Sequence, residues 1–473
     1  MSQIELEKIG VNKYQIKKIP GMRVEALVYL KPEMVQQLKT DLSLNQLAEA
    51  AMLPQVVSPV IGMPDIHEGF GLPIGGIMVT TGLISAGAVG MDINCGVRLV
   101  STNLNYNDRT FSPEALRTLI HKISREIPIG LGGGRRSLPP KITLEGVVLG
   151  GAEFVVNQGY GTPEDLQSTE EGGKLEGARL EVLTPKALGR AEREIGTLGS
   201  GNHFIEIQKI VEVYDQEVAS QWGLSLNQIC FMVHCGSRAL GHQTCTDYTD
   251  ILWNARTKYA IDIPRQGLAG LPIETPEGQN YFAAMVGSVN FAFANRQLIM
   301  FELENIFRQF WGSQVEFHLI YDVAHNIAKW ESFASAQDKS LLIHRKGATR
   351  ALPPGHPKNP PKYMATGHPA IIPGSMGTAS YVVVGTQKAA ETFFSVNHGA
   401  GRLMSRKQAF STISQQQFEN SMEGIVYNLP YQKIADEAPA AYKNINDVVD
   451  TLVEAGLTRK IIKLLPLAVV KGD

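Results

Sequence analysis

The chain has 473 residues, 44% hydrophobic and 19% charged, with 46 Gly and 25 Pro, a composition that describes a globular protein with many shaped loops and excludes fibrous and disordered classes. Its 44 Lys and Arg against 46 Asp and Glu leave a formal charge of −2, so there is no global basic field and any nucleic-acid contact requires a local patch. The start "MSQIELEKIGVNKY" has charges where a signal peptide has its apolar core, no run of about eighteen apolar residues offers a membrane span, and four cysteines are too few for a disulfide scaffold; a cytoplasmic location with no membrane partner is expected.

Residues 1–60 read as a mixed, polar lead-in packed on a main domain spanning 61–473, with a surface insertion at about 130–200. From "IGMPDIHEGFGLPIGGIMV" onward the chain is glycine-punctuated with short β-type runs. "VGMDINCGVR" then places Cys95 three residues after Asp92 inside an apolar segment, where one shared metal ion would account for both. The insertion begins with "GLGGGRRSLPPK" and continues through the charged "TPEDLQSTEEGGKLEGARLEV", which read as loops and short helices rather than core.

Beyond it, histidines recur at strand ends. "SGNHFIEIQKIV" sets His203 before an alternating strand, "ICFMVHCGSR" ends a strand with His234, and "TFFSVNHGAGRLMSR" ends one at His398 before a Gly-Ala-Gly loop and a helix. "VEFHLIYDVAHNIAKW" predicts a strand to Tyr321, with Asp322, His325 and Asn326 at the start of a helix. Residues 278–311 carry apolar side chains at helical spacing for many turns and predict a long core helix.

Strand ends on one side of a sheet bring distant residues together, so His203, His234, His325 and His398 are expected to meet at one site with Asp92 and Cys95, where an Asp, a Cys and three histidines would make a candidate ligand set. Imidazole and thiolate favour divalent transition ions over Mg²⁺ or Ca²⁺, and a thiolate can bridge two ions about 3.5–4 Å apart, the arrangement that supports displacement at phosphorus. Cys230, Cys235 and Cys245 read as buried apolar thiols. The glycine turns "PGSMGTASY" and "NHGAGR" are candidate phosphate cradles, whereas "LGGGRR" reads as a loop. Arg345, Lys346 and Arg350 in "HRKGATR", and Arg402, Arg406 and Lys407 in "GRLMSRK", are candidate RNA-backbone contacts.

Together "MPDIHEGFGLPIGG", "GMDINCGVR", "GSGNHFIE", "HCGSR", "YDVAHNIAK", "HRKGATRA", "IPGSMGTASYV" and "VNHGAGRLMSR" resemble the motif set of the RtcB family of tRNA-splicing RNA ligases, over about residues 60 to 473. The resemblance implies a distinctive α+β fold and a GTP-dependent ligase, using two Mn²⁺ and a guanylated histidine to join RNA 2′,3′-cyclic phosphate or 3′-phosphate ends to 5′-hydroxyl ends in tRNA splicing or RNA repair. It assigns Asp92, Cys95 and His203 to one ion and Cys95, His234 and His325 to the other, with Cys95 as the bridge. His398 matches the guanylated residue and Asp65 a further acidic residue at the active centre. Asn202, Phe204, Glu206, His325, Asn326, Pro373, Gly374, Ser375, Met376, Gly399, Ala400, Gly401, Tyr442 and Lys471 match the nucleotide pocket. RNA, GTP and an archease-like activator are the implied partners of a monomer. "HCGSRALGHQ" departs from the family's more frequent "HSGSRGLGHQ" at Cys235 and Ala239, and Ala239 is expected to strain a turn if that turn needs positive φ. A binuclear metallophosphatase or cyclic phosphodiesterase could use the same ligands without His398, and a non-catalytic RNA-binding protein would leave them unexplained.

Overall fold

A computed structural model describes residues 4–38, 41–107, 109–135, 137–332 and 340–473. Arg136 of the "LGGGRR" loop lies outside the described residues.

Short apolar runs, several of them buried on both faces, fold into two large sheets, and the helices pack around them, giving the expected α+β class. One sheet has seven strands in the order Leu6–Gly10, Lys13–Ile16, Ala26–Tyr29, Val56–His67, Ile74–Thr80, Ser340–Lys346 and Asn326–Ser332. Ala26 pairs with Val60 and Val57 with Val79. Main-chain pairing is therefore continuous through the boundary expected near residue 60, and residues 6–29 supply three strands of this sheet.

The second sheet runs Phe317–Ala324, Gly96–Asn105, Gln228–Cys235, Phe204–Val213, Thr458–Val470, Ser380–Gly385 and Ala370–Ile372, with Val426–Tyr427 added alongside Thr458–Val470. Its register has the larger consequence. Ala324 pairs with Gly96, Gly96 with Cys235, Val97 with His234, and His234 with Phe204. Because the strands alternate in direction, two begin and two end along one edge, at the roughly 4.8 Å spacing of neighbouring strands. Residues 95, 203, 234 and 325 emerge there side by side.

The predicted long helix is observed as Pro276–Trp311. Thr275 caps it by accepting from the Gly278 N–H at 3.1 Å, Pro276 occupies the first turn, and Gly312 ends it. Its middle is buried on every face, so apolar residues alternate there with buried polar ones, Asn290, Asn295 and Arg296 among them. Phe291 and Phe293 pack into one core cluster, while Ile299, Leu303 and Phe307 pack beneath the second sheet. Within the segment expected as surface insertion, helix Leu144–Asn157 buries Val147, Val148, Ala152 and Val155 against this long helix. That part of the segment is core, and the flanking charges hide its short apolar stripe in the sequence. Among the described residues no helix is long and apolar enough to cross a membrane.

Candidate active site

The register of the second sheet assembles two ligand groups that share a sulfur. Asp92, Cys95 and His203 form one, and Cys95, His234 and His325 the other; in each group one potential ligand atom per residue lies within 4.8 Å of the others. Cys95 Sγ lies 3.5 Å from His203 Nε2 and 3.2 Å from His234 Nε2. His203 Nε2 is also 2.7 Å from Asp92 Oδ2, and its Nδ1 donates to the Leu198 carbonyl at 3.0 Å, which turns Nε2 inward. His234 and His325 bring their Nε2 atoms to 3.2 Å, while the Nδ1 of each is buried without a partner among the described residues.

Hydrogen bonding alone gives little reason to crowd three imidazole nitrogens, a thiol and a carboxylate in this way. Shared cations would satisfy them together. Burial pushes the Cys95 thiol up to about 12, helped by Asp92, so its ligand form requires a cation to hold the thiolate. Burial also holds His234 and His325 well below the usual imidazole range, leaving neutral rings with lone pairs to donate. Burial opposes charge on His203 as well, but the Cys235 sulfur and the Asp92 carboxylate outweigh it and raise that ring.

His398 follows strand Ser395–Asn397 and stands over this centre, its ring centroid 4.8 Å from that of His325. Asp65, fully buried on strand Val56–His67, holds it: Oδ2 accepts from His398 Nδ1 at 2.6 Å, from the His398 N–H at 3.0 Å and from the Gly399 N–H at 3.3 Å. Nε2 is thereby the ring nitrogen left to the cavity. Gly401 closes the loop at φ +75°, where a Cβ would meet the Asp65 carbonyl at 2.2 Å. A side chain there would separate Asp65 from His398.

A cavity of about 360 Å³ opens over His398 and the ligand groups. Asn202, Phe204, His325, Asn326, Pro373–Met376, His398–Gly401, Tyr442 and Lys471, all expected in the pocket, line it. Glu206 is buried outside this lining, next in line after Phe204 and Ile205; burial raises its carboxyl to about 8, Oε1 has no partner among the described residues, and Oε2 accepts from Gln208. Lys471 Nζ reaches Glu437 Oε2 at 3.3 Å and lies 5.9 Å from the Phe204 ring. Glu437 also accepts from the Tyr442 hydroxyl and pairs with Arg402. Sequence reasoning does not reach Glu437 or His67, both in the cavity wall. Glu437 lies in a short helical turn without a motif, whereas His67, inside "MPDIHEGFG", carries a signal in its place beside Asp65.

Other expectations change. Asn326 opens strand Asn326–Ser332 rather than a helix, and its side chain donates to the Asp92 carbonyl at 2.9 Å and accepts from the Gly347 N–H at 2.8 Å. Arg345 is buried against Glu331 and Arg350 against Glu170 and Glu171, so both serve the interior rather than RNA. Lys346 is buried in the cavity wall, bonded to the Phe70 and Gly87 carbonyls. Arg402 and Arg406 do stand at the cavity. Cys235 is buried as expected, but its Sγ lies 3.0 Å from the Leu198 carbonyl and 3.9 Å from His203 Nδ1, so it touches a ligand's support. The positive φ of that motif falls on Arg238, at 57°, and Ala239 lies in helix Arg238–Ala255, which removes the expected strain. The "LGGGRR" loop borders a second cavity of about 540 Å³, where Leu131 and Gly132 join Arg190, Arg193 and Arg238 on the far side of Asp92, Asn202 and His203.

The family model described as "tRNA-splicing ligase RtcB" matches residues 46–472. The chain belongs to the RtcB family. The protein named tRNA-splicing ligase RtcB from Archaeoglobus fulgidus is 42% identical over 480 residues, covering 99% of each chain. RNA-splicing ligase RtcB from Mycobacterium tuberculosis is 42% identical over 437 residues, covering 90% of this chain and all of the relative. RNA-splicing ligase RtcB homolog 1 from Entamoeba histolytica is 40% identical, covering 96% of this chain and 90% of its own. The correspondence extends beyond the motifs, since the RtcB match begins within helix Ser43–Ala50 and runs nearly to the C-terminal residue.

Proposed function

We propose that this protein is a GTP- and Mn²⁺-dependent RNA ligase that joins 2′,3′-cyclic phosphate or 3′-phosphate ends to 5′-hydroxyl ends, with His398 as its nucleophile. The observation that carries the reading is the Asp65–His398 pair, 2.6 Å apart, with His398 facing a cavity whose wall holds Asp92, Cys95, His234 and His325. Asp92, Cys95 and His203 would hold one ion and Cys95, His234 and His325 the other. When bound, the ions supply positive charge against the phosphates as negative charge builds.

Asp65 keeps the proton on Nδ1, so the Nε2 lone pair attacks the α-phosphate of GTP, the Nε2–P bond forms, and the bond to pyrophosphate breaks. The Asp65 carboxylate balances the charge on the substituted ring. GMP then passes to an RNA 3′-phosphate, a cyclic end having first been opened by water. The 5′-hydroxyl of the second RNA attacks that phosphate and GMP leaves. Asn202 and the Met376, Ala400 and Gly401 N–H groups would meet the phosphate oxygens, the Gly374, Ser375 and Gly399 N–H groups being bonded to Ser380, Thr378 and Asp65. Phe204, Tyr442 and Lys471 would meet the base and ribose, with the neutral Glu206 behind them. The second cavity, with Arg190, Arg193 and Arg238 on its wall, supports a route for RNA to the same centre. We place this activity in tRNA splicing or RNA repair in the cytoplasm, in a monomer served by an archease-like activator.

Incubation with Mn²⁺ and α-labelled GTP without RNA should attach one label per chain, lost in acid and stable in alkali, and γ-labelled GTP should attach none. His398→Ala should abolish the label. A metallophosphatase or phosphodiesterase would take no label from GTP, and equal labelling of His398→Ala and wild type would remove His398 from the mechanism.

A further inference from the structure

The ligand groups come from four separate stretches of chain, and one dipeptide in the long helix touches the backbone or support of all four. Arg296 is fully buried in mid-helix. Its Nη1 donates to the Asn94 carbonyl and to the Cys235 carbonyl, each at 2.8 Å, and its Nη2 to Asn94 Oδ1 at 3.2 Å. Those carbonyls belong to the residues next to Cys95 and His234. The same guanidinium forms a fork with Asp322, at 2.7 Å from Nη2 to Oδ1 and 3.0 Å from Nε to Oδ2, and Asp322 stands three residues before His325.

Its neighbour Asn295 serves the fourth stretch. Asn295 Oδ1 accepts from the Gly196 and Thr197 N–H groups at 2.6 and 3.1 Å, and Nδ2 donates to the Thr197 carbonyl at 3.1 Å and the Gly236 carbonyl at 3.3 Å. That turn presents the Leu198 carbonyl, which fixes the His203 ring. Gly96 leaves room for the arrangement, because a Cβ there would come within 3.0 Å of the Arg296 guanidinium carbon and 2.5 Å of the Val323 carbonyl.

We infer that Asn295 and Arg296 are positioning residues that set the separation of the two ion sites, by holding the Cys95, His234, His325 and His203 stretches on one rigid helix. A planar guanidinium offers five donors in fixed directions, so it can join three segments at a defined spacing where a lysine could not. The inference rests on the two-ion reading of the ligand groups. Arg98 is the internal control for the Asp322 charge pair alone: it bonds Asp322 Oδ2 at 2.7 Å and otherwise Gln297 and Met300, and donates to none of the Asn94, Cys235 and Gly236 carbonyls that Arg296 and Asn295 hold.

The test is Mn²⁺ titration of the full-length protein followed by electron paramagnetic resonance, with thermal melting alongside. Wild type should bind two Mn²⁺ and show the signal of an exchange-coupled pair. Arg296→Lys and Asn295→Ala should weaken Mn²⁺ binding about 10- to 100-fold, the usual effect of losing a group that supports metal ligands, and lose the coupled signal while still melting cooperatively. Arg98→Met should lower the melting temperature and keep both Mn²⁺ affinity and coupling. Wild-type affinity and coupling in Arg296→Lys and Asn295→Ala, or an equal loss of affinity in Arg98→Met, would overturn the inference. If Arg296→Lys does not fold, Asn295→Ala decides by the same criteria. Wild type that binds no Mn²⁺ would instead remove the two-ion reading beneath it.

Discussion

At the residue scale, Cys95 belongs to both ligand groups, so its loss affects two sites at once. Cys95→Ala should cost more than the roughly 10- to 100-fold typical of a supporting partner, leaving guanylylation below detection and metal content below one ion per chain by elemental analysis. Asp65→Asn should behave differently. It disturbs the acceptor that receives three N–H groups but leaves the ligand groups intact, so metal content should hold while the guanylylation rate falls by about 10²-fold or more. Glu206 gives a pH test of the nucleotide pocket. Its carboxyl rises from an ordinary 4.5 to about 8 because burial penalises the charge, so between these values the folded state holds a proton that the unfolded state has released. Stability from this group is complete below about 4.5 and is lost as pH rises toward 8. Glu206→Gln should therefore raise the melting temperature at pH 8, with the gain shrinking toward pH 4.5, while use of GTP weakens.

At the element scale, strand Thr458–Val470 carries the C-terminal residues into the cavity. Lys471 exchanges backbone hydrogen bonds with the Asn428 side chain, at 2.8 and 2.9 Å, and its ammonium is buried beside Glu437. The strand pairs on both sides upstream of Lys471, so Lys471→Ala should fold normally. A buried charged hydrogen bond contributes about 1.5–3 kcal/mol, which predicts a KM for GTP raised roughly tenfold or more, with joining of a preformed RNA 3′-guanylate end little changed. An unaltered KM in steady-state guanylylation would show that the tail does not serve the nucleotide.

At the scale of the whole molecule, the two candidate ligand groups join one end of a sheet to the Asp92 loop and are braced from the long helix through Arg296, so ion binding and global stability should be linked. Mn²⁺ at about 100 times its dissociation constant should add about 2.7 kcal/mol per independent site, read as a rise in melting temperature that a chelator reverses. Cys95→Ala should show no such rise.

Much of this centre is legible in the amino-acid sequence. The sequence by itself determined the strands before or after His203, His234 and His398, the long helix at 278–311, and the candidate ligands, because alternation, helical spacing and glycine turns are local signals. It could not determine that Asn326 starts a strand, that Val147 and Val155 are core, or that Arg345 and Arg350 are spent on buried carboxylates, because burial depends on partners far along the chain. The pairing of Asp65 with His398, across 333 residues, and the sharing of Cys95 between two groups were likewise decided by tertiary structure. Strand register, which local sequence does not encode across long separations, sets four stretches side by side and fixes which of their atoms meet.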